Sequence, residues 1–170
     1  MDHFARLGLP AALDLESASL DRAYFALQRQ WHPDRFVAKP APERPTASAQ
    51  AAALNDAYRT LKDPLSRAVY FAELEGVELP GDGKTIDDPE LLMEAMEARE
   101  ELHEASTPET VDALAAKARA DMKASLEGLG GLFLADDKPA IRKALLRLRY
   151  LDKFAEEARA RRMNIERSTA

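Results

Sequence analysis

The sequence predicts an all-α fold, with an N-terminal helical hairpin flanked by short helices and a C-terminal three-helix bundle. Strand signals are nearly absent, because no clear stretch alternates apolar and polar residues. Apolar residues recur instead at the spacing of amphipathic helices, and helix-favouring Ala, Leu, Glu and Arg dominate. With 46% hydrophobic residues in a chain of 170, a packed core is feasible.

Four helices are predicted in the first part of the chain. A short helix covers residues 2–7, and a second covers 19–32 with Ser19 as its N-cap. A third starts near residue 46 after a proline-rich loop, and a fourth covers 64–74. The residues expected to face inward are Leu20, Tyr24, Leu27 and Trp31 of the second helix, Ala47, Ala51, Leu54, Tyr58 and Leu61 of the third, and Leu65, Ala68 and Leu74 of the fourth.

A linker is predicted at residues 76–87, which hold three of the seven glycines and a proline. This boundary separates a first domain, residues 1–75, from a second domain, residues 88–170. Three longer helices are predicted in the second domain, each opened by a capping residue next to a proline. They begin at Asp88-Pro89, Thr107-Pro108 and Asp137 with Pro139, and end near Ala105, Leu134 and Arg162.

The charges of the last three helices are unevenly distributed. From Asp87 to Glu109 the sequence has nine acidic residues and one basic residue, whereas from Pro139 to Ala170 it has nine basic and four acidic residues. We therefore predict that these two segments lie side by side. Exposed ion pairs contribute only about 0–1 kcal/mol each, so they would set orientation rather than hold the bundle together.

Composition excludes several classes of function. A net charge of −6 and a pI near 5.2 argue against nucleic acid or an anionic membrane as the main partner. The absence of cysteine excludes disulfides, thiol catalysis and thiolate-bound clusters. No segment is apolar enough for a signal peptide or a membrane span. We expect a cytoplasmic protein with no cofactor and no metal.

The tripeptide His32-Pro33-Asp34 is the strongest local signal in the sequence. Pro33 disfavours helical backbone at His32, so the second helix should end there and present an imidazole and a carboxylate together. An ordinary helix end with a proline turn is the alternative interpretation. The neighbouring residues favour a recognition surface, because three basic side chains and an exposed aromatic accompany the tripeptide. These residues are Arg22, Phe25, Arg29 and Arg35.

Residues 1–75 resemble the J-domain, the module by which co-chaperones stimulate the ATPase of DnaK-type heat-shock chaperones. The resemblance rests on DHFARLGL, LQRQWHPDR and LNDAYRTLKDPLSRAVY, in the family's order. It implies that Asp34 holds an arginine of the chaperone, that Pro33 fixes the loop and that His32 orients it. It further implies that Arg22, Arg29 and Arg35, with Phe25 beside them, steer the domain toward an acidic surface.

The first helix of the second domain carries apolar residues outside its core stripe. Leu91, Ala95, Ala98 and Leu102 fall on one side at about 100° per residue. Leu92, Met93 and Met96 lie off this stripe, with Glu97 and Glu100 beside Met93. The last helix similarly has Leu146, Tyr150 and Phe154 away from its main stripe. Either a bundle buries these wider arcs, or they form a binding patch, for which methionine is well suited.

LMEAMEAREEL and LRLRYLDKF resemble the C-terminal domain of the HscB family, the J-proteins of iron–sulfur cluster assembly. The resemblance spans nearly the whole chain. It implies that the second domain binds an IscU-type scaffold protein and delivers it to an HscA-type chaperone. Met96 stands where the family often has leucine, and Tyr150 where it often has phenylalanine, and both substitutions keep an apolar contact. The scaffold-binding residues implied are Leu92, Met93, Met96, Glu97, Glu100 and Tyr150.

Two other functions are compatible with parts of the sequence. His32 and Asp34 could be an acid/base pair assisted by His3 or His103, or scattered histidines could bind a metal. No phosphate-binding loop or nucleophile motif supports an enzyme, so we expect none. The second alternative keeps the J-domain but gives the C-terminal bundle a different protein client, or a role in dimerisation.

Overall fold

Helices form all the regular structure in the computed structural model, which describes residues 1–38, 43–81 and 83–170. The predicted all-α class is confirmed. Part of the predicted proline-rich loop, residues 39–42, lies outside the described residues, as does Asp82 of the predicted linker. The chain divides into two units, Met1–Leu74 and Glu75–Ala170.

The described residues of the first unit, 1–38 and 43–74, form four α-helices and one short 3₁₀ turn. Its two longest helices form an antiparallel hairpin. Side-chain hydrogen bonds join Ser17, at the start of the first helix, to Lys62, at the end of the second, and Tyr24 to Asn55 between them. The core contains Phe4, Leu7, Leu20, Tyr24, Leu54, Ala57 and Leu61. In chain order the elements are α1 (His3–Arg6), α2 (Ser17–Trp31), the 3₁₀ turn (Pro33–Phe36), α3 (Glu43–Lys62) and α4 (Pro64–Leu74).

Side-chain capping sets the starts of α1 and α4. Asp2 caps α1 by accepting a hydrogen bond from the amide of Ala5, and Asp63 caps α4 by accepting one from Ser66. Ser19 was predicted as the cap of α2, but the helix begins two residues earlier, at Ser17. Ser19 instead donates its hydroxyl hydrogen to Glu16, at 2.6 Å, from within the first turn.

One inward-facing residue was predicted wrongly in α4. Leu74 is 43% exposed, whereas Ala68 and Ala72 of the same helix are fully buried. Leu74 is the last residue of the helix, and helical periodicity does not show whether another part of the chain packs against a helix end. Tyr70 and Phe71, one turn earlier, do pack against the core of the first unit.

The second unit is a three-helix bundle made of α5 (Pro89–Glu104), α6 (Pro108–Leu134) and α7 (Lys138–Thr169). The side chains of Asp88, Thr107 and Asp137 accept hydrogen bonds from first-turn amides, as the sequence predicted. α5 and α6 each pack against α7. Their shared core contains Leu102, Ala105, Val111, Ala118, Leu151, Phe154, Ala158 and Ile165.

α7 continues about two turns beyond the predicted end at Arg162. The extension buries Ile165, which joins the same core cluster as Leu102 and Val111. A tertiary contact therefore prolongs a helix whose sequence becomes strongly charged near its end.

The first part of the predicted linker is bonded to α7. Arg142 donates to the carbonyl oxygen of Glu78 at 3.1 Å, and Arg149 donates to that of Pro80 at 2.6 Å. Val77 is also buried, at 4% exposure. Residues 75–81 accordingly belong to the second unit.

None of the helices in the described part of the chain combines the length and apolar character that crossing a lipid bilayer would take.

Candidate functional site

The His32-Pro33-Asp34 tripeptide forms the junction between α2 and the 3₁₀ turn. The backbone of His32 is extended, at φ −60° and ψ 133°, as expected for a residue before proline. The ring Nδ1 of His32 accepts a hydrogen bond from the amide of Asp34 at 3.2 Å. The Nδ1 atom is thereby used as an acceptor inside the turn.

The carboxylate of Asp34 points into solvent. Its side chain is 87% exposed, and its Oδ2 lies 3.5 Å from His32 Nδ1. Because that nitrogen already accepts the Asp34 amide, it cannot also donate to the carboxylate. The carboxylate oxygens can therefore accept hydrogen bonds from a partner.

A pair of aromatic rings brackets the turn. Trp31, the last residue of α2, stacks on Phe36, the last residue of the 3₁₀ turn, with ring centroids 6.0 Å apart and planes within 2°. Such offset stacking contributes about 0.5–1.5 kcal/mol beyond burial, so it restrains the turn from both ends. Phe36 is not among the residues predicted for this site, although aromatic residues on both sides of the tripeptide are a usable signal.

The predicted basic side chains and Phe25 are all exposed. Arg22, Phe25 and Arg29 have helical spacings of three and four, so they share one face of α2. Arg22 donates to Ser19 at 3.0 Å and lies 3.9 Å from Glu16, which offsets part of its charge. Arg35 lies in the 3₁₀ turn itself.

A polar and aromatic network holds the hairpin behind this face. Asp21 of α2 accepts hydrogen bonds from the Tyr58 hydroxyl at 2.9 Å and from Lys62 at 2.7 Å, and these bonds lower its pKa. Tyr24 stacks on Tyr58 at 4.0 Å and donates its hydroxyl to Asn55 at 2.6 Å. The network was not predicted, because each of its hydrogen bonds joins residues more than 30 positions apart in the sequence.

The second candidate surface lies on α5. Met93 and Met96 are 61% and 62% exposed, and Glu97 and Glu100 beside them are exposed as well. Leu92 is only partly exposed. The two methionines therefore supply most of the accessible apolar surface among these α5 residues. We call the surface formed by Met93 and Met96 the methionine surface.

Tyr150 lies at the α5–α7 junction rather than on an open face. Its hydroxyl donates to Glu94 at 3.1 Å, and Arg147 donates two hydrogen bonds to the same carboxylate at 2.9 and 3.1 Å. Burial, together with the bond to Glu94, raises the pKa of Tyr150 to about 12. Hydrogen bonds from Arg147 chiefly lower the pKa of Glu94.

Two other residues of the predicted α7 patch are core residues. Leu146 and Phe154 are buried, so the wider-arc alternative applies to them. A bundle helix that contacts two neighbours buries residues on more than one stripe. Tyr150 is partly buried, and it lines the same cavity as Glu97.

The predicted side-by-side arrangement of the acidic and basic segments is confirmed. Arg142 pairs with Asp87 at 2.7 Å, Arg99 with Glu157 at 3.2 Å, and Lys143 with Glu90. Partners advance together along both helices, so α5 runs parallel to α7.

Within residues 1–38, 43–81 and 83–170, no three His, Cys, Asp or Glu side chains form a group that could hold a metal ion.

Two family models match the chain, one in each of its two units. The family model described as the DnaJ domain matches residues 2–70, and the one described as the HSCB C-terminal oligomerisation domain matches residues 87–159. The "Co-chaperone protein HscB homolog" of Burkholderia multivorans is 39% identical over 167 residues, which is 96% of this chain and 95% of that protein.

Two solved structures resemble nearly the whole chain. HscB from Vibrio cholerae has a TM-score of 0.83 and 34% identity, covering 97% of this chain and 99% of that chain. Human HscB has a TM-score of 0.87 and 28% identity, covering 96% and 83% respectively.

An exposed His-Pro-Asp turn at the end of a helical hairpin, together with these matches, defines a J-domain co-chaperone, a class that works with Hsp70-type chaperones. Co-chaperones of this kind are not themselves enzymes. The C-terminal match and the similarity along the whole chain narrow the class further: the chain belongs to the HscB family.

Proposed function

We propose that this protein stimulates ATP hydrolysis by an HscA/DnaK-type chaperone and delivers an IscU-type scaffold protein to it in the cytoplasm. Delivery would aid the transfer of iron–sulfur clusters and the maturation of iron–sulfur proteins. The observation that carries the proposal is the presence, in one HscB-family chain, of an exposed Asp34 turn and an exposed methionine surface.

The chaperone is bound through the first unit. Asp34 accepts charge-assisted hydrogen bonds from a cationic side chain of the chaperone, a contact that gives direction as well as energy. Pro33 fixes the backbone, and His32 closes the turn through its bond with the Asp34 amide. Arg22, Arg29 and Arg35, together with Phe25, add long-range attraction and an aromatic contact to an acidic chaperone surface.

The scaffold is bound through the second unit. Met93 and Met96 supply adaptable apolar contacts, with Leu92 adding its accessible edge. Glu97 and Glu100 supply the polar margin, and the partly exposed ring of Tyr150 adds an apolar contact. Because one chain binds both partners, the scaffold's effective concentration near the chaperone rises without new contacts between the two partners.

Single-turnover ATP hydrolysis by the purified cognate chaperone tests the first contact. Asp34→Asn keeps the shape of the side chain but removes its charge, and we expect it to abolish most of the stimulation without changing the melting temperature. Asp56→Asn, at another exposed aspartate of the first unit, is the matched control and should stimulate normally. Full stimulation by Asp34→Asn would refute the assignment.

Capture of purified IscU-type scaffold tests the second contact. Met93→Ala combined with Met96→Ala should weaken capture at least about tenfold, because the exposed apolar anchors of the surface are lost. Met163→Ala removes a methionine of α7 that is 49% exposed, and it should leave capture unchanged. Equal affinities for all three proteins would show that the scaffold binds elsewhere or not at all.

The description of the C-terminal family as an oligomerisation domain favours a second candidate, in which the methionine surface joins two copies of this chain. Sedimentation velocity distinguishes the two. Self-association that Met93→Ala with Met96→Ala removes, without any scaffold binding by the unmodified protein, would support this candidate over the first.

A further inference from the structure

A cavity of about 270 Å³ lies between α5 and α6 where both pack on α7. α7 contributes Tyr150, Leu151 and Phe154 to it, and α6 contributes Leu114. These side chains give the cavity an apolar and aromatic lining.

The cavity's charged groups are mostly acidic. Glu97 and Glu101 of α5 and Asp121 of α6 line it and are exposed. In the part of the chain that the structure describes, their carboxylates form no hydrogen bond or ion pair. Glu94 also lines the cavity, but Arg147 offsets its charge. Among the described residues that line the cavity, Lys117 is the one cation, so the cavity has a negative potential.

Size and lining together indicate the kind of group that fits. The volume falls below the roughly 300–1,000 Å³ typical of small-molecule sites, so a single side chain is a better match than a cofactor. Lysine and arginine combine an apolar stem with a cationic head. Their stems would contact Leu114 and Phe154, and their heads would lie among the three open carboxylates.

The cavity is continuous with the methionine surface. Glu97 follows Met93 by four residues and Met96 by one, so it borders both features on the same helix. A protein that covers the methionines therefore reaches the edge of the cavity.

We propose that this cavity receives a lysine or arginine side chain of the scaffold protein that covers the methionine surface. The proposal rests on the proposed function, and it adds a charged specificity contact made by Glu101 and Asp121 with the apolar lining beneath them.

The test is the dissociation constant of the full-length protein for purified IscU-type scaffold of the same organism, measured by calorimetry at several salt concentrations. Glu101→Gln combined with Asp121→Asn should weaken binding about tenfold and flatten its salt dependence. The matched control, Glu109→Gln with Glu156→Gln, removes the same charge outside the cavity and should change binding less than about twofold. Lys117→Gln makes the cavity more negative and should tighten binding about two- to threefold.

The outcomes separate the two proposals. Scaffold binding that is equally strong in the cavity variant and the control overturns the cavity assignment and leaves the proposed function standing. Weaker binding by Lys117→Gln also overturns it, because it would indicate an acidic occupant. No binding by the unmodified protein overturns the proposed function and the cavity assignment together.

Discussion

At the scale of single residues, His32 and Asp34 flank the same proline but have different roles. The imidazole is used inside the turn, where its Nδ1 accepts the amide hydrogen of Asp34. The carboxylate is left to solvent at 87% exposure. The turn is thus stabilised by one side chain while the other remains open, and a partner can bind the carboxylate without first breaking an internal bond.

Glu94 is an ionisable residue that links α5 to Arg147 and Tyr150 of α7 in the second unit. The pKa of Glu94 in the folded protein lies below the ordinary value of 4.5. At a pH between the folded-state pKa and 4.5, this carboxyl therefore binds more protons in the unfolded chain than in the folded one. The hydrogen bonds that the Glu94 carboxylate accepts therefore stabilise the folded unit at neutral pH. This stability is lost as the pH falls below about 4.5 through the folded-state pKa of Glu94.

An NMR titration of the Glu94 side-chain carboxyl should give a midpoint below 4.5 in the native protein. Arg147→Gln removes the main cause of the shift and should move the midpoint upward. The Asp87 carboxyl, whose pKa is lowered chiefly by its hydrogen bond from Arg142, is the internal reference, and Arg147→Gln should leave its midpoint unchanged. A Glu94 midpoint unaffected by Arg147→Gln would mean that the α5–α7 clamp does not form in solution.

At the scale of elements, helix ends depend on two kinds of information. Asp88, Thr107 and Asp137 start their helices through side-chain bonds to amides two or three residues away, which a sequence motif encodes fully. The end of α7 has no such motif. It extends to Thr169, and its last turns bury Ile165 against the bundle.

Ile165→Ala should therefore reduce the free energy of unfolding of the second unit by about 2 kcal/mol, at the low end for core truncations because the site is near the chain end. The matched control, Met163→Ala, lies on the same turn but is exposed, and should cost less than about 0.5 kcal/mol. Urea unfolding followed by circular dichroism gives both values. Equal effects would show that the last turns of α7 are frayed in solution.

At the scale of the whole molecule, each unit has its own hydrophobic core and its own candidate surface. The structural boundary falls at Leu74 and Glu75, upstream of the predicted linker at 76–87. Gly and Pro content marked the segment as a connector, but Arg142 and Arg149 bind its carbonyl oxygens from α7.

A fragment of residues 75–170 should consequently melt at a higher temperature than a fragment of residues 88–170. The shorter fragment lacks Val77 and leaves Arg142 and Arg149 without the carbonyl oxygens of Glu78 and Pro80. Burial of one valine alone is worth about 1.5–3 kcal/mol. Calorimetry of both fragments measures the difference in melting temperature. Equal melting temperatures would mean that residues 75–87 add no stability to the second unit.

The sequence alone determined the features that depend on neighbouring residues. These include the all-α class, the capped starts of α5, α6 and α7, the end of α2 before Pro33, and the exposed tripeptide at that point. Each is encoded within a few residues, because proline geometry, capping bonds and helical periodicity act over one or two turns.

Only the tertiary structure decided which apolar residues remain accessible and which side chains meet. Leu146 and Phe154 are buried while Met93 and Met96 are exposed, although all four lie off a simple core stripe. The contacts of Glu94 with Arg147 and Tyr150 join residues 53 and 56 positions apart. Exposure and long-range pairing depend on where a second helix packs, and the periodicity of one helix carries no record of its neighbour's position.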